Sequence, residues 1–300
     1  MKLLLCGSFD VGEQADWKSA LTVALPEARW LDVAAARRAP DSVDAAVVAN
    51  PPPGSLQGLP RLRLIQSLWA GVDRLLGDAT LPPGVPLARM VDPSMNAAMA
   101  ETALWAVLSL HRDFFGYARQ QRLAVWQPLP QRRADEVTVL VLGQGQMGRT
   151  AAARLLQQGY RVQGWKRDGG PLAPLLARAE IVINLLPLTP ETRGLLDARF
   201  FAAMPAGAAL VNLARGAHVV DDDLLAALDR GHLRHAVLDV FHTEPLPATH
   251  RYWQHPRVTL LPHAAAATDP RSAAQVAAAN LRAAMAGAPL AHLVDRSRGY

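Results

Sequence analysis

Apolar runs of strand length recur along the chain, separated by polar or helical stretches. Three fall in the first ninety residues, at 3–6, 45–49 and 62–68. Six more follow at 137–142, 161–165, 181–186, 208–213, 236–240 and 258–261. Runs without polar alternation suit strands buried on both faces of a parallel sheet. The spacing between them leaves room for crossover helices, which predicts doubly wound α/β architecture. Residues 16–25 read as a helix stopped by Pro26. Residues 95–123 read as one long helix or two in line, with Ala98, Leu104, Leu108 and Phe115 on its apolar side. Residues 221–230 form a helix with acids in its first turn, as the dipole favours, and Gly231 as its stop. Residues 268–287 form an alanine-rich helix, with Thr268 or Asp269 as N-cap and Pro270 in its first turn.

Three hundred residues suit two domains, and a chain that is half hydrophobic can fill two cores. The single cysteine, Cys6, excludes a disulfide framework and a multi-cysteine metal site. It sits in an apolar run and reads as a core thiol in a reducing compartment. The net charge is +5, yet no run of Lys or Arg exceeds two, so the stripe that nucleic-acid binding requires is missing. The first apolar run is too short for a signal peptide and none reaches membrane-spanning length. The expectation is a soluble cytoplasmic protein with no membrane and no nucleic-acid partner.

The 137–142 run enters Gly143-Gln144-Gly145-Gln146-Met147-Gly148, and a helical pattern follows. Gly-x-Gly-x-x-Gly between strand and helix marks a dinucleotide site. Gly143 allows the tight turn, Gly145 lets a pyrophosphate approach the backbone, and Gly148 lets helix and strand pack closely. The helix N-terminus adds N–H groups and a positive dipole end. In such folds an acid about twenty residues on ends the second strand and binds the ribose of NAD. Here that strand ends Trp165-Lys166-Arg167-Asp168. Two cations there attract a 2′-phosphate and favour NADP over NAD. On the other reading Lys166 and Arg167 are ordinary surface cations and Asp168 holds the ribose.

Three polar residues follow the later strands. Arg215 stands in Asn212-Leu213-Ala214-Arg215-Gly216, Glu244 in Thr243-Glu244-Pro245, and His263 after Pro262. Hydride transfer to a carbonyl needs a cation to hold the substrate, a proton donor for the developing alkoxide, and a carboxylate to orient and charge an imidazole. Arg215, His263 and Glu244 fit these roles in that order, though each singly also reads as an ordinary loop residue. Of the nine histidines, His232 and His235 flank a helix end, His250 and His255 sit in a polar loop, and His111 lies on a helix surface. None has the acidic or cysteine partners of a metal site. Trp69-Ala70-Gly71-Val72 follows the 62–68 run, where Gly71 can bring an N–H to an anion or simply open a helix.

With these residues the chain resembles the D-isomer-specific 2-hydroxyacid dehydrogenases, and within them the glyoxylate/hydroxypyruvate reductase A group. The resemblance spans the whole chain. It rests on the glycine loop, Ile183-Asn184-Leu185-Leu186-Pro187-Leu188-Thr189-Pro190-Glu191-Thr192, Asn212 to Gly216, Leu238-Asp239-Val240-Phe241, Glu244-Pro245-Leu246-Pro247 and Pro262-His263. Trp253 to Thr259 carry it as well, and Trp126-Gln127-Pro128-Leu129-Pro130 and the tail Val294 to Tyr300 point to the subgroup. The resemblance implies two Rossmann-like domains. A doubly wound cofactor domain, 99–270, would be inserted into a smaller flavodoxin-like substrate domain, 1–98 plus 271–300, with the site between them. It implies a homodimer that reduces glyoxylate to glycolate and hydroxypyruvate to glycerate, with NADPH preferred and NADH as the other cofactor. Arg215 would bind the substrate carboxylate and carbonyl, His263 would donate the proton, and Glu244 would be its partner. The cofactor would be held by Gly143, Gly145, Gln146, Met147, Gly148, Trp165, Lys166, Arg167, Leu186, Pro187, Thr192, Leu213 and Ala214. Asp239 would orient the nicotinamide carboxamide. Trp69, Ala70, Gly71 and Val72 would take the other side of the substrate.

The family usually has a small residue at Trp69. An indole there either narrows the substrate pocket or turns away into the core. A larger 2-oxoacid stacked on Trp69 is therefore a second substrate reading. A dinucleotide-sensing module of the same fold is a third, against which the Arg, Glu and His together argue. A phosphorylated substrate is disfavoured, because no basic cluster marks the first domain.

Overall fold

A computed structural model describes residues 1–300, and the chain divides into two units. Met1–Met95 with Thr268–Tyr300 form one, and Asn96–Ala267 the other.

The first unit runs β1 (Lys2–Gly7), α1 (Val11–Ala24), β2 (Arg29–Leu31), α2 (Val33–Arg38), β3 (Ala45–Ala49), β4 (Ile65–Ser67), α3 (Asp73–Leu76) and β5 (Leu87–Ala88). The strands form one parallel sheet in the order β2-β1-β3-β4-β5. Continuous apolar composition buries β3 completely, as expected of a central strand covered on both faces. Asp10 and Asp32 cap α1 and α2 by accepting from Glu13 N and Ala35 N, which satisfies N–H groups that a helix start leaves unpaired. The sequence pattern missed β2 and β5. They are edge strands of three and two residues, too short for a period to show. The 62–68 run likewise pairs only over Ile65–Ser67.

The second unit continues with α4 (Pro93–His111), whose first turn lies at the boundary, α5 (Phe114–Arg122), β6 (Thr138–Leu142), α6 (Gln146–Gln157) and β7 (Arg161–Trp165). Then come α7 (Ala173–Leu176), β8 (Ile181–Asn184), α8 (Ala198–Ala202), β9 (Ala208–Asn212), α9 (Asp221–Asp229), β10 (Leu233–Leu238) and β11 (Val258–Leu260). The chain closes on α10 (Pro270–Ala286), which returns to the first unit and packs on α1. Its small face of Ala273, Ala274, Ala277 and Ala278 is buried, and Gly287 ends it at φ +67°.

The six strands β6 to β11 are parallel, in the order β11-β10-β9-β8-β6-β7. The chain moves one way from β6 to β7 and the other way from β6's opposite neighbour β8 onward. The strand order thus reverses beside β6, where a parallel sheet opens a crevice beyond its C-terminal ends. One core, around Leu140, Val182, Leu210 and Leu238, covers one face; another, around Val139, Ile183, Val211 and Val237, covers the other. Alternate residues of the same strands feed the two cores, the physical content of an unbroken apolar run.

The 95–123 segment takes the second of its two readings, two helices broken at Asp113 in the left-handed region (φ +58°). One expectation is corrected here. His235 does not flank a helix end; it lies in β10, its ring stacked on Phe115 at 4.4 Å, and burial pushes its pKa down to about 4. His111 is at the end of α4, where its ring engages the Tyr160 hydroxyl and the Arg132 carbonyl at 2.9 Å each. No helix is long and apolar enough to cross a membrane.

Candidate active site

The glycine loop lies at the strand-order reversal, between β6 and α6. Gly143 has φ +98°, and a Cβ there would stand 2.5 Å from the Leu185 carbonyl. At Gly148 a Cβ would stand 1.8 Å from the Gly143 carbonyl, so only glycine lets α6 sit this close to β6. Gly145 differs: its φ is ordinary and nothing lies within 4 Å of where a Cβ would be. No packing inside the chain demands glycine there. The open side at the start of α6 is a cradle that a side chain would fill, and it fits a pyrophosphate against the backbone. Gly164 of β7 admits the Gln144 amide, which donates to the Val141 carbonyl at 3.1 Å and so fixes the loop.

Around this loop, Met147 packs partly on one core and Trp165 partly on the other. The Trp165 indole N–H reaches the Gly170 carbonyl at 3.0 Å. Lys166 and Arg167 are exposed, and Arg167 pairs with Glu191 at 3.2 Å. After β8, Leu186 is buried and its N–H donates to Asn184 Oδ1 at 3.2 Å, while Thr192 Oγ1 donates to the Pro187 carbonyl at 2.8 Å. These two side-chain bonds hold the Leu186–Pro187 turn open toward the strand ends.

β9 ends at Asn212, whose amide holds the next turn. Its Nδ2 donates to the Arg215 carbonyl at 3.0 Å, and its Oδ1 accepts from Asn184 Nδ2 at 3.0 Å and Ala214 N at 3.3 Å. Leu213 and Ala214 are buried, so the chain emerges at Arg215. Arg215 Nη1 donates to the Ala214 carbonyl at 2.7 Å. Gly216 presses on the loop after β10: a Cβ there would stand 2.0 Å from the Phe241 carbonyl carbon.

That loop carries Glu244. The Phe241 N–H donates to Glu244 Oε1 at 2.8 Å, and His263 Nδ1 lies 2.6 Å from Oε2. An ionised carboxylate only accepts, so Nδ1 carries the proton and Nε2 is the outward nitrogen. Burial alone would raise the Glu244 carboxyl, but the His263 and Phe241 hydrogen bonds, with the charges of His263 and Arg215, hold it below its ordinary value. The same bond from Glu244 raises the His263 imidazole, against partial burial and the Arg215 charge. His263 stands in the left-handed region at φ +55° and its side chain is 53% exposed. A non-glycine residue held there costs about 1–3 kcal/mol, and such strain collects at functional positions. What holds it is Asp239, 1% exposed, whose carbonyl accepts the His263 N–H at 2.9 Å and whose carboxylate accepts Ala264 N at 2.7 Å and Ala265 N at 3.2 Å. Burial raises that carboxyl against these two N–H groups.

The strand-end loops of the second unit thus gather Arg215, Glu244, His263 and Asp239. In the first unit, the Trp69 N–H and carbonyl both meet Ser67 Oγ at 3.0 Å, and the indole stands edge-on to the buried Trp17 at 5.9 Å. Trp69 rests on the core there while remaining partly exposed. Ala70 and Gly71 are half-buried, and Val72 is buried at the start of α3. The sequence pattern assigned no role to Asn184, Asn212 or His218. Asn184 and Asn212 carried one signal: each is a polar residue closing an apolar strand.

Residues 104–265 match the family described as D-isomer specific 2-hydroxyacid dehydrogenase, NAD binding domain. A glyoxylate/hydroxypyruvate reductase A from Serratia proteamaculans is 42% identical over 95% of this chain and 96% of its own. A D-isomer specific 2-hydroxyacid dehydrogenase from Xanthobacter autotrophicus Py2, solved with NADPH and MES, has a TM-score of 0.93 at 39% identity, covering 100% of this chain and 99% of that one. An NADPH-dependent glyoxylate/hydroxypyruvate reductase from Sinorhizobium meliloti, solved with NADP and sulfate, has a TM-score of 0.91 at 33% identity, covering 100% and 99%. The chain belongs to the D-isomer specific 2-hydroxyacid dehydrogenases.

Proposed function

We propose that this protein reduces small 2-oxoacids with NADPH, glyoxylate to glycolate and hydroxypyruvate to glycerate. The observation that carries the reading is the 2.6 Å Glu244–His263 pair with the Arg215 charge close enough to bias both. Relatives named for this reaction, and one solved with NADPH, support it.

Arg215 holds the substrate carboxylate and carbonyl oxygen with its planar fork and favours the negative charge that develops on that oxygen. The backbone of Ala70 to Val72 and the Trp69 ring take the rest of the substrate. As the carbonyl carbon gains hydride, the oxygen takes the proton from His263 Nε2 and the C=O bond becomes C–OH. Glu244 keeps Nδ1 protonated, so the ring gives up its proton only at Nε2. Asp239 holds the backbone of the His263 loop and keeps an oxygen for the nicotinamide carboxamide. Gly143 to Gly148, the Leu186–Pro187 turn with Thr192, Leu213 and Ala214 cradle the dinucleotide, Trp165 borders it, and Lys166 and Arg167 take its 2′-phosphate. A bound nicotinamide dinucleotide supplies the hydride. The assembly is a cytoplasmic homodimer.

The test follows reduced-nicotinamide absorbance with glyoxylate, hydroxypyruvate, pyruvate and a bulkier 2-oxoacid, each with NADPH and NADH. Fast turnover of the two small acids with NADPH is expected, and Arg215→Ala is expected to lower kcat/KM about 10²–10³-fold. Unchanged turnover in Arg215→Ala would remove the substrate role. Turnover of the bulky acid alone would instead favour a substrate stacked on Trp69, whose ring stays partly exposed.

A further inference from the structure

His218 lies in the turn Gly216–His218 that follows Arg215, and its side chain is fully enclosed. Its Nδ1 faces the Arg215 carbonyl at 3.2 Å and its Nε2 faces the Pro187 carbonyl at 3.3 Å. Carbonyl oxygens only accept, so both ring nitrogens face acceptors, and the ring donates to both at once only with a proton on each nitrogen. The two carbonyls belong to different loops. Pro187 follows β8 and also receives Thr192 Oγ1, while Arg215 follows β9 and also receives Asn212 Nδ2. The backbone around the ring is tied to the same neighbourhood, since Leu196 N donates to the His218 carbonyl and Gly194 N to the Ala217 carbonyl, each at 2.9 Å. The imidazole therefore bridges the loop that precedes Thr192 and the turn that presents Arg215.

We propose that His218 is a positioning residue. It fixes the Arg215 main chain against the Pro187–Thr192 turn, so that the guanidinium and the wall of the dinucleotide cradle keep one relative position. This rests on the roles proposed above for Arg215 and the Leu186–Pro187 turn. An apolar side chain of similar size would fill the space but remove the bridge, leaving the Pro187 carbonyl to Thr192 Oγ1 and the Arg215 carbonyl to Asn212 Nδ2 with no tie between the two loops.

The two ring nitrogens have separable tasks, and amide side chains can stand in for them one at a time. The amide nitrogen of Asn reaches where Nδ1 sits, and that of Gln reaches where Nε2 sits. His218→Asn keeps the Arg215 arm. It is expected to hold glyoxylate kcat and KM within about threefold of the parent while the NADPH Kd, read by tryptophan fluorescence, rises about fivefold, as for one lost hydrogen bond. His218→Gln keeps the Pro187 arm. It is expected to hold the NADPH Kd within about twofold while kcat/KM for glyoxylate falls about tenfold. His218→Leu should lose both. A purely structural ring would lower Tm and change binding and turnover in the same proportion in Asn and Gln variants alike; that result, or failure of both amide variants to fold, would overturn the proposal. Absent NADPH binding in the parent protein, or unchanged turnover in Arg215→Ala, would instead locate the failure in the functional reading beneath it.

Discussion

In the reduction proposed above, Glu244 would set the pH range in which His263 acts. The hydrogen bond between them raises the imidazole above its ordinary value. With His263 as the proposed proton donor, turnover is expected to stay high below that raised value and to fall as pH rises through it. Glu244→Gln removes the main cause of the shift. The alkaline limb of the kcat profile for glyoxylate reduction is expected to move to lower pH; coincident limbs in parent and variant would contradict the pairing. A second residue-scale expectation concerns the cofactor. Solvent screens the exposed Arg167–Glu191 pair, which does not bar Arg167 from a phosphate. Lys166→Asp with Arg167→Ala should shift the ratio of kcat/KM toward NADH, and an unchanged ratio would remove the 2′-phosphate role. At this scale the grouping of Arg215, Glu244 and His263 was legible because each lies in a loop that follows an apolar strand run. His218 was not, since its tie to Pro187 spans 31 residues and exists only once β8 and β9 are in register.

Whole elements depend on a few positions where backbone meets backbone. Gly216 is one. Its turn presses on Phe241, one residue from His242 and three from Glu244, and a Cβ there has no room against the Phe241 carbonyl carbon. Backbone cannot step aside as a side-chain tip can, so Gly216→Ala must displace the Arg215 turn from the Glu244 loop. A loss of stability of about 1–3 kcal/mol is expected, with glyoxylate turnover falling more steeply than NADPH binding. Thermal denaturation beside steady-state kinetics would check this, and an alanine variant with parental kinetics would show that the two loops need not hold their spacing. The interior strands were legible for the same packing reason: β3, β8 and β9 are buried along their whole length, so their composition is apolar throughout β3 and up to the closing Asn of β8 and β9. β7 is half-buried and β5 has two residues, and composition constrains such edges weakly. Two helices in line was one reading of 95–123, but the break at Asp113 was not placed because Arg112-Asp113 also reads as an exposed helical surface.

At the scale of the molecule, several large apolar side chains close together in the sequence face solvent. Trp126 is 98% exposed and Leu123 67%, and Val125, Phe114 and Trp105 are exposed as well. All five lie between residues 105 and 126, on α4, α5 and the segment after α5, and the Trp105 and Phe115 rings meet edge-on at 5.9 Å within it. Scattered exposed apolar residues are ordinary, but a large indole with apolar neighbours on adjoining elements fits the homodimer proposed above. In such a dimer a two-fold pairing would let the same patch serve both sides. Burying these side chains removes apolar area worth about 25 cal/mol per Å² from water, the dominant gain in lasting subunit contacts. The protein is therefore expected to show the mass of a dimer in light scattering at micromolar concentration. Leu123→Asp with Trp126→Asp places two charges in each copy of the patch and should yield single chains that still bind NADPH, since neither residue belongs to the dinucleotide cradle. A parent protein already of single-chain mass, or a double variant that remains dimeric, would show that the patch serves some contact other than self-association.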